Sequence, residues 1–130
     1  MGNSPLTKNE ILNRKPILKE VEIPQWGGFV NIRPMTVAEQ TKLAELGTKY
    51  EKGKTVERIK GITLQVIKWT VVDAEGNPLF SEEDLDQLMQ SDASAIMTLQ
   101  DAIISYSGLT AESREELAKN LKSQAEEASL

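Results

Sequence analysis

The sequence of 130 residues contains no cysteine and no histidine. We therefore expect no disulfide, no structural zinc site, no thiol nucleophile and no histidine acting as a proton carrier near neutral pH. Aromatic residues are also scarce, at 5% of the chain. No apolar run approaches the roughly 20 residues that a membrane-spanning helix needs. The sequence predicts a soluble globular protein in which only carboxylates could carry out catalysis.

Basic residues are outnumbered, because 15 Lys and Arg stand against 20 Asp and Glu, for a net charge of −5. Nucleic-acid binding needs a concentrated basic face, so we expect no nucleic-acid partner. The N-terminal residues lack the basic and then apolar layout of a signal peptide. Leu6 occupies the position where a myristoylation signal needs Ser or Thr. We therefore expect a cytosolic protein that does not bind membranes.

The most apolar stretch of the chain is residues 55–72, TVERIKGITLQVIKWTVV. On a helical wheel with a step of about 100° per residue, its apolar side chains cover more than half of the circumference. These side chains are Val56, Ile59, Ile62, Leu64, Val66, Ile67, Trp69 and Val71. Such a helix has to be covered by neighbours. The pattern predicts a central buried helix that ends at Asp73.

Residues 20–32 change to a period of two, which is typical of strands. Val21 and Ile23 alternate with glutamates, and Val30 and Ile32 alternate with polar residues after the turn PQWGG. The pattern predicts a β-hairpin whose turn uses both glycines, with Pro24 on an edge strand or at a strand end. Because two strands alone are marginal in water, the hairpin must lean on a helix or pair with another copy or a partner strand.

Capping residues mark two helix starts in the first half of the chain. Thr7 and Thr36 are each followed three residues later by Glu, which predicts a capping box at each threonine. The first box opens a short helix that Pro16 ends, and we interpret it as a capped turn without further role. The second box opens a helix from about residue 37 to residue 50.

The second half of the chain shows three further helix starts. Ser81 is a candidate N-cap, and so is Ser91 or Asp92 for the next helix. Gly108 stands where a left-handed residue closes a helix. Thr110 is a candidate cap for a last helix.

Together these patterns predict a mainly α, α+β fold, with five or six helices around a central buried helix and one N-terminal β-hairpin. We expect one domain at residues 6–122, a disordered N-terminus at residues 1–5 and a disordered tail at residues 123–130.

Carboxylates cluster at three places: Asp73 with Glu75, residues 82–84, and Glu115 with Glu116. The first cluster resembles a calcium loop but has Pro78 where that loop requires glycine. Helix-start electrostatics account for the second cluster, and a solvated helix face for the third. No phosphate-binding glycine motif occurs. We expect no catalytic residue, no metal site and no cofactor, although a magnesium site built from distant carboxylates is an alternative.

Three landmarks occur in order: LTKNEIL at residues 6–12, VEIPQWGGFVNIRPMTVAEQ at residues 21–40, and VVDAEGNPLFSEEDLDQL at residues 71–88 with SGLTAESREELAKN at residues 107–120. In this order and spacing the chain resembles the phage tail assembly chaperones of siphophages and related prophages. Members typically open with L-T-x-x-E-I-L, carry V-x-V-P-x-W-G-G-x-V in a hairpin, and have V-D-x-x-G-x-P-L-F after a helical stretch. The chain departs mildly from this pattern at Ile23 and Phe29.

The resemblance implies a non-enzymatic protein that binds the tape-measure protein, keeps it soluble and helps to recruit tail-tube subunits. It implies a location in the cytoplasm of the bacterial host and absence from the mature virion. Self-association stays open. Two other interpretations also stay open: a small regulatory or adaptor protein that binds one protein partner through its hairpin, and a metal-dependent enzyme that uses distributed carboxylates.

A chaperone for an amphipathic helix needs an apolar groove with a polar rim. The candidate partner-binding residues are Trp26, Phe29, Leu43, Leu46 and Tyr50. The two aromatic residues lie at the predicted hairpin tip, and the other three recur at helical spacing. The same pattern is compatible with local packing of the aromatic pair and with core positions for the other three.

Overall fold

The computed structural model describes residues 4–108, and within them the chain forms five helices and one three-stranded antiparallel sheet. The helices are α1 (Lys8–Leu12), α2 (Val37–Lys49), α3 (residues 55–70), α4 (Leu85–Leu88) and α5 (Ala93–Ser107). The strands are β1 (Lys19–Ile23), β2 (Gly28–Ile32) and β3 (Val71–Val72). The predicted mainly helical α+β fold with an N-terminal hairpin is confirmed. The helix start predicted at Thr110 and the tail at residues 123–130 lie outside the described residues.

Side-chain caps fix the starts of α1 and α2, as the sequence predicted. At α2 the Thr36 hydroxyl accepts a hydrogen bond from the backbone N–H of Glu39 at 3.1 Å. The Glu39 carboxylate accepts one from the backbone N–H of Thr36 at 3.0 Å. Thr7 and Glu10 form the same capping box at α1. Each box satisfies backbone donors that the first helical turn leaves without a partner.

Caps also fix the helices of the second half. Ser81 and Asp84 form a capping box at a 3₁₀ turn, Glu82–Asp84, which leads into α4. Asp92 rather than Ser91 caps α5. At its other end, Gly108 lies in the left-handed region with φ 61°, as predicted for a residue that closes a helix.

The sheet is built on the predicted hairpin. β1 and β2 pair antiparallel, with Val21 opposite Val30 and Glu22 opposite Phe29. Because successive side chains alternate between faces, the two valines point to the core and the glutamate and phenylalanine point away. Of the two turn glycines, only Gly27 has a positive φ, at 74°. The turn therefore needs one glycine rather than the predicted two.

A third strand, which the sequence did not predict, completes the sheet. α3 ends at Thr70 instead of continuing to residue 72, and Val71–Val72 pair with β2. The backbone N–H of Arg33 also donates to the carbonyl of Thr70 at 2.9 Å. The adjacent β-branched valines favour extended backbone once a strand is available to pair with them. The hairpin thus gains its third strand from its own chain.

The core lies between α3, the sheet and the later helices, with α3 at its centre as predicted. Its largest fully buried side chains are Ile23, Ile32, Ile62, Leu64, Ile67, Leu85, Leu99, Ile103, Val66, Val71 and Val72. These residues come from both strands and helices, so each strand or helix buries its apolar face only by packing against the others.

α3 is not a uniform α-helix. It widens into a π-helical turn at Ile59–Thr63, in which the N–H of Leu64 donates to the carbonyl of Ile59, five residues back. The extra residue in this turn rotates the first helical turn relative to the rest of α3, so that Thr55 rather than Val56 faces the core. Val56, which the wheel placed in the apolar arc, is consequently 56% exposed. That part of the sequence prediction was wrong because it assumed a constant step.

The hydroxyl of Thr63 is buried and has no hydrogen-bond partner within the described residues. We expect Thr63→Val to raise the free energy of unfolding by about 1 kcal/mol, because it removes an unsatisfied polar group while keeping the side-chain shape. Thr70→Val is the matched control, since the Thr70 hydroxyl donates to the carbonyl of Val66 at 2.8 Å. Urea denaturation measures both, and a loss of stability in Thr63→Val would contradict the expectation.

β1 is an edge strand, as Pro24 predicted. It pairs with β2 alone, whereas an isolated bridge between Val72 and Pro78 continues the sheet beyond β3. Within residues 4–108, the outer side of β1 has no backbone hydrogen-bond partner. β1 is therefore an open edge of the sheet among the described residues.

Candidate functional site

The N-terminal arm, defined here as residues 6–17, displays several large apolar side chains to solvent. Each of these side chains is more than half exposed, with Leu12 at 68%: Leu6, Ile11, Leu12 and Ile17. α1 lies within the arm and buries none of its residues, so its capping box, rather than a core, holds it in shape. Single exposed apolar residues are common on protein surfaces, but a concentration of them is typical of an interaction site.

The arm leads into an open cleft of about 780 Å³, called the arm cleft below. Its apolar lining consists of Pro16, Ile17, Pro34, Met35 and Tyr106. Among the residues that the structure describes, its charged lining consists of Arg14, Lys15 and Arg33 and includes no carboxylate. The arm cleft therefore combines an apolar floor with a cationic rim.

The C-terminal end of α5 positions both walls of the arm cleft. The Tyr106 hydroxyl donates to the carbonyl of Ile17 at 2.5 Å, which fixes the arm wall. The backbone N–H of Met35 donates to the Ser107 hydroxyl at 3.0 Å, which fixes the opposite wall. The Lys19 ammonium lies 5.5 Å from the centroid of the Tyr106 ring and adds a cation–π contact. These contacts explain why two irregular segments can form a defined cleft.

Arg33 is held by a two-pronged ion pair with Glu39. Its guanidinium nitrogens lie 2.8 and 2.7 Å from the two carboxylate oxygens, and one of them also donates to the carbonyl of Pro34. Burial by itself would raise the pKa of Glu39, but hydrogen bonds from Arg33 and from Thr36 outweigh it and lower that pKa. Glu39 therefore stays ionised and joins the α2 cap to the wall of the cleft.

This ion pair predicts a pH dependence of stability. Because the folded-state pKa of Glu39 is below its ordinary value of 4.5, its contribution to stability is complete above that value. The contribution is lost as the pH falls through the lowered folded-state pKa. We expect Glu39→Gln to lower the free energy of unfolding by about 1–3 kcal/mol at pH 7 and by less at about pH 3.

Denaturant titrations at the two pH values measure the difference between wild type and Glu39→Gln. Glu45→Gln is the matched control, because Glu45 is exposed on the same helix and has no ion-pair partner within residues 4–108. A difference for Glu39→Gln that stays the same or grows toward acid pH would rule out the proposed contribution of the ionised carboxylate.

The structure divides the five predicted partner-binding residues into two groups. Trp26 and Phe29 lie at the hairpin tip and are 37% and 59% exposed. Leu43 is buried in the core at 4% exposure, and Leu46 and Tyr50 are partly buried against the core. Both aromatic residues are therefore accessible, at the opposite end of β1 from the arm cleft. Leu43, Leu46 and Tyr50, in and just after α2, are packed on or in the core instead.

Sequence reasoning missed the arm as a candidate site because its apolar residues fit the pattern of an ordinary amphipathic turn. A signal was present, however. The helix is only five residues long and lies between Pro5 and Pro16, so little of its apolar surface can reach a core. Three basic residues, Lys8, Arg14 and Lys15, interrupt the apolar ones and keep the segment at the surface.

The turn that resembled a calcium loop uses its carboxylate internally. Asp73 accepts hydrogen bonds at 2.9 Å from the backbone N–H groups of Glu75 and Asn77, and Gly76 supplies a positive φ of 88°. Across residues 4–108, no group of three or more acidic side chains is placed to hold a metal ion. In the same part of the chain, no helix has the length and apolar character to cross a membrane.

Comparison with known proteins gives no match to this chain among family models, curated proteins or solved structures.

Proposed function

We propose that this protein is a phage tail assembly chaperone that binds the tape-measure protein, keeps it soluble and helps to recruit tail-tube subunits. The proposal is supported by the three sequence landmarks and their order along the chain. The observation that carries it structurally is the concentration of exposed apolar side chains on the arm, next to an open cleft. The protein acts by binding and carries out no chemistry.

The physical logic is that of a holder for an amphipathic helix. A long helical cargo exposes apolar stripes before assembly, and these stripes make it aggregate. The arm offers matching apolar side chains, such as Ile11 and Leu12, on a segment whose shape is set by its own cap. The net charge of −5 keeps the complex soluble by repulsion between copies.

Co-expression with a tape-measure protein tests the proposal. We expect the wild-type chain to raise the soluble fraction of the cargo severalfold and to co-purify with it. Ile11→Ser together with Leu12→Ser should abolish this gain, because the change removes apolar contact area and leaves the folded core intact. Trp26→Ala, made in parallel, measures the share of binding that the hairpin tip contributes.

Val56→Ser is the control, because Val56 is also more than half exposed but lies at the start of α3 and does not line the arm cleft. Circular dichroism checks that each variant keeps its helical content. The proposal fails if the wild-type chain leaves cargo solubility unchanged. The assignment to the arm fails if the Ile11 and Leu12 variant protects the cargo as well as Val56→Ser does.

A second candidate function is an adaptor that binds one protein partner through its hairpin. The open edge of β1 favours it, since an extended partner segment could add there as a further strand. Such an adaptor would bind a single extended peptide and would not change the solubility of a long helical cargo.

A further inference from the structure

We propose that the arm cleft selects an amphipathic helix whose apolar stripe is flanked by Asp and Glu. This inference rests on the proposed function and names the class of cargo segment that the cleft binds. It is carried by the charge of the cleft, which is opposite to the charge of the chain as a whole.

The rim of the cleft carries uncompensated positive charge. Arg14 and Lys15 are exposed and have no ion-pair partner within residues 4–108. Arg33 is already neutralised by Glu39, so it adds hydrogen-bonding groups but little net charge. Two positive charges thus face an apolar floor that is lined by no carboxylate of residues 4–108. The chain as a whole, by contrast, has a net charge of −5. Complementary charge favours an acidic partner and rejects a basic one.

The backbone around the cleft favours a helix over an extended segment as the occupant. The walls are residues 14–17 and 33–36, which are irregular segments between regular elements and offer no strand edge. An extended peptide would have to leave its backbone groups without partners against the apolar floor. A helix satisfies its backbone groups with internal hydrogen bonds, so it needs only apolar contact and complementary charge from the cleft.

The apolar contact is available where a helix would need it. Ile17 is held with its backbone carbonyl bonded to Tyr106, so its exposed side chain lies on a fixed wall. At the opposite wall, half-buried Pro34 lines the cleft, and Met35, which is buried in the core, lies behind it. Leu12 and Ile11, which precede the cleft residues along the arm, add further exposed apolar side chains. A stripe of leucines can contact these side chains while flanking carboxylates reach Arg14 and Lys15.

Fluorescence anisotropy with three synthetic helical peptides tests the inference on the full chain. The peptides share one leucine stripe and differ only in their flanking residues, which are Glu, Gln or Lys. We expect the Glu peptide to bind about tenfold tighter than the Lys peptide at low salt, with the Gln peptide between them. The preference should shrink as salt is added, because the charges at the rim are exposed.

A pair of double variants locates the effect. Arg14→Gln with Lys15→Gln should weaken the Glu peptide about fivefold and remove most of the preference. Lys42→Gln with Lys52→Gln removes the same charge from exposed positions outside the cleft and should change binding less than twofold. The inference is overturned if the Lys peptide binds as well as the Glu peptide, if no peptide binds, or if both double variants behave alike. If a fatty-acid anion displaces the Glu peptide only at concentrations at which it forms micelles, this result supports the inference.

The outcome separates this inference from the chaperone proposal. Rescue of the cargo without any charge preference among the peptides leaves the chaperone proposal standing and removes the inference. A clear preference for the Glu peptide without rescue of the cargo removes the chaperone proposal and supports the inference that the cleft selects an acidic amphipathic helix.

Discussion

Ile67→Ala is expected to lower the free energy of unfolding by about 2–5 kcal/mol, the range for truncating a buried isoleucine. Ile67 is fully buried in the second half of α3, which packs against α5 and β3. The change removes apolar contacts and leaves a cavity that the surrounding helices and strands can fill only in part. Guanidinium denaturation followed by circular dichroism measures the loss.

Val56→Ala on the same helix is the matched control. Its side chain is mostly exposed, because the π-helical turn rotates the first turn of α3 so that Thr55 rather than Val56 faces the core. We expect a change of less than about 0.5 kcal/mol, as for other surface positions. Equal losses at Ile67 and Val56 would show that α3 is a regular helix in which Val56 and Ile67 share the face that packs on the core.

Gly61→Ala is expected to destabilise the protein by about 1–3 kcal/mol, although the same change usually stabilises a helix. Gly61 lies in the π-helical turn, where the Tyr50 ring packs directly on it. A Cβ at this position would lie 2.5 Å from Cε2 of Tyr50, far inside contact distance. The ring or the helix must therefore move.

The sign of the effect should reverse once the ring is gone. In a Tyr50→Ala background, Gly61→Ala should stabilise the protein by about 0.5–1 kcal/mol, because only the helical preference of alanine remains. Thermal and denaturant unfolding of the four proteins in this cycle measure the coupling. A gain in both backgrounds would mean that Tyr50 moves aside at no cost. Gly28→Ala is a control, since a Cβ there meets nothing within 4 Å.

The features that sequence reasoning predicted correctly are those decided within a few residues. The capping boxes at Thr7 and Thr36 each depend on two side chains three positions apart. The hairpin depends on alternation and on one turn, and Gly108 closes α5 by its own backbone preference. Local rules therefore predicted most helix starts and the hairpin.

The features that the sequence did not predict depend on neighbours far along the chain. Val71–Val72 become a strand because β2 offers an edge to pair with, and a helical wheel has no information about that edge. The π-helical turn coincides with the packing of Tyr50 on Gly61, which joins two helices. Periodicity alone could not reveal either contact.

The candidate site shows the same division. Exposure of Trp26 and Phe29 could be predicted, because they flank a tight turn. Leu43 could not be assigned to surface or core, because its helical spacing is the same in either case. The arm cleft was beyond reach altogether, since Lys15 and Met35 meet there only through contacts with the end of α5.

The open edge of β1 has a consequence for how copies of the chain meet. If two such strands paired antiparallel about a two-fold axis perpendicular to the sheet, residues of equal parity would face each other. Three such alignments pair three or more residues of β1, and they are centred on Glu20, Val21 or Glu22. Each of them places a glutamate of one copy directly opposite a glutamate of the other: Glu20 opposite Glu20, Glu20 opposite Glu22, or Glu22 opposite Glu22. Like charges in that position repel, so the edge resists growth into a continuous ribbon while staying accessible to a strand that carries lysine or arginine at alternate positions.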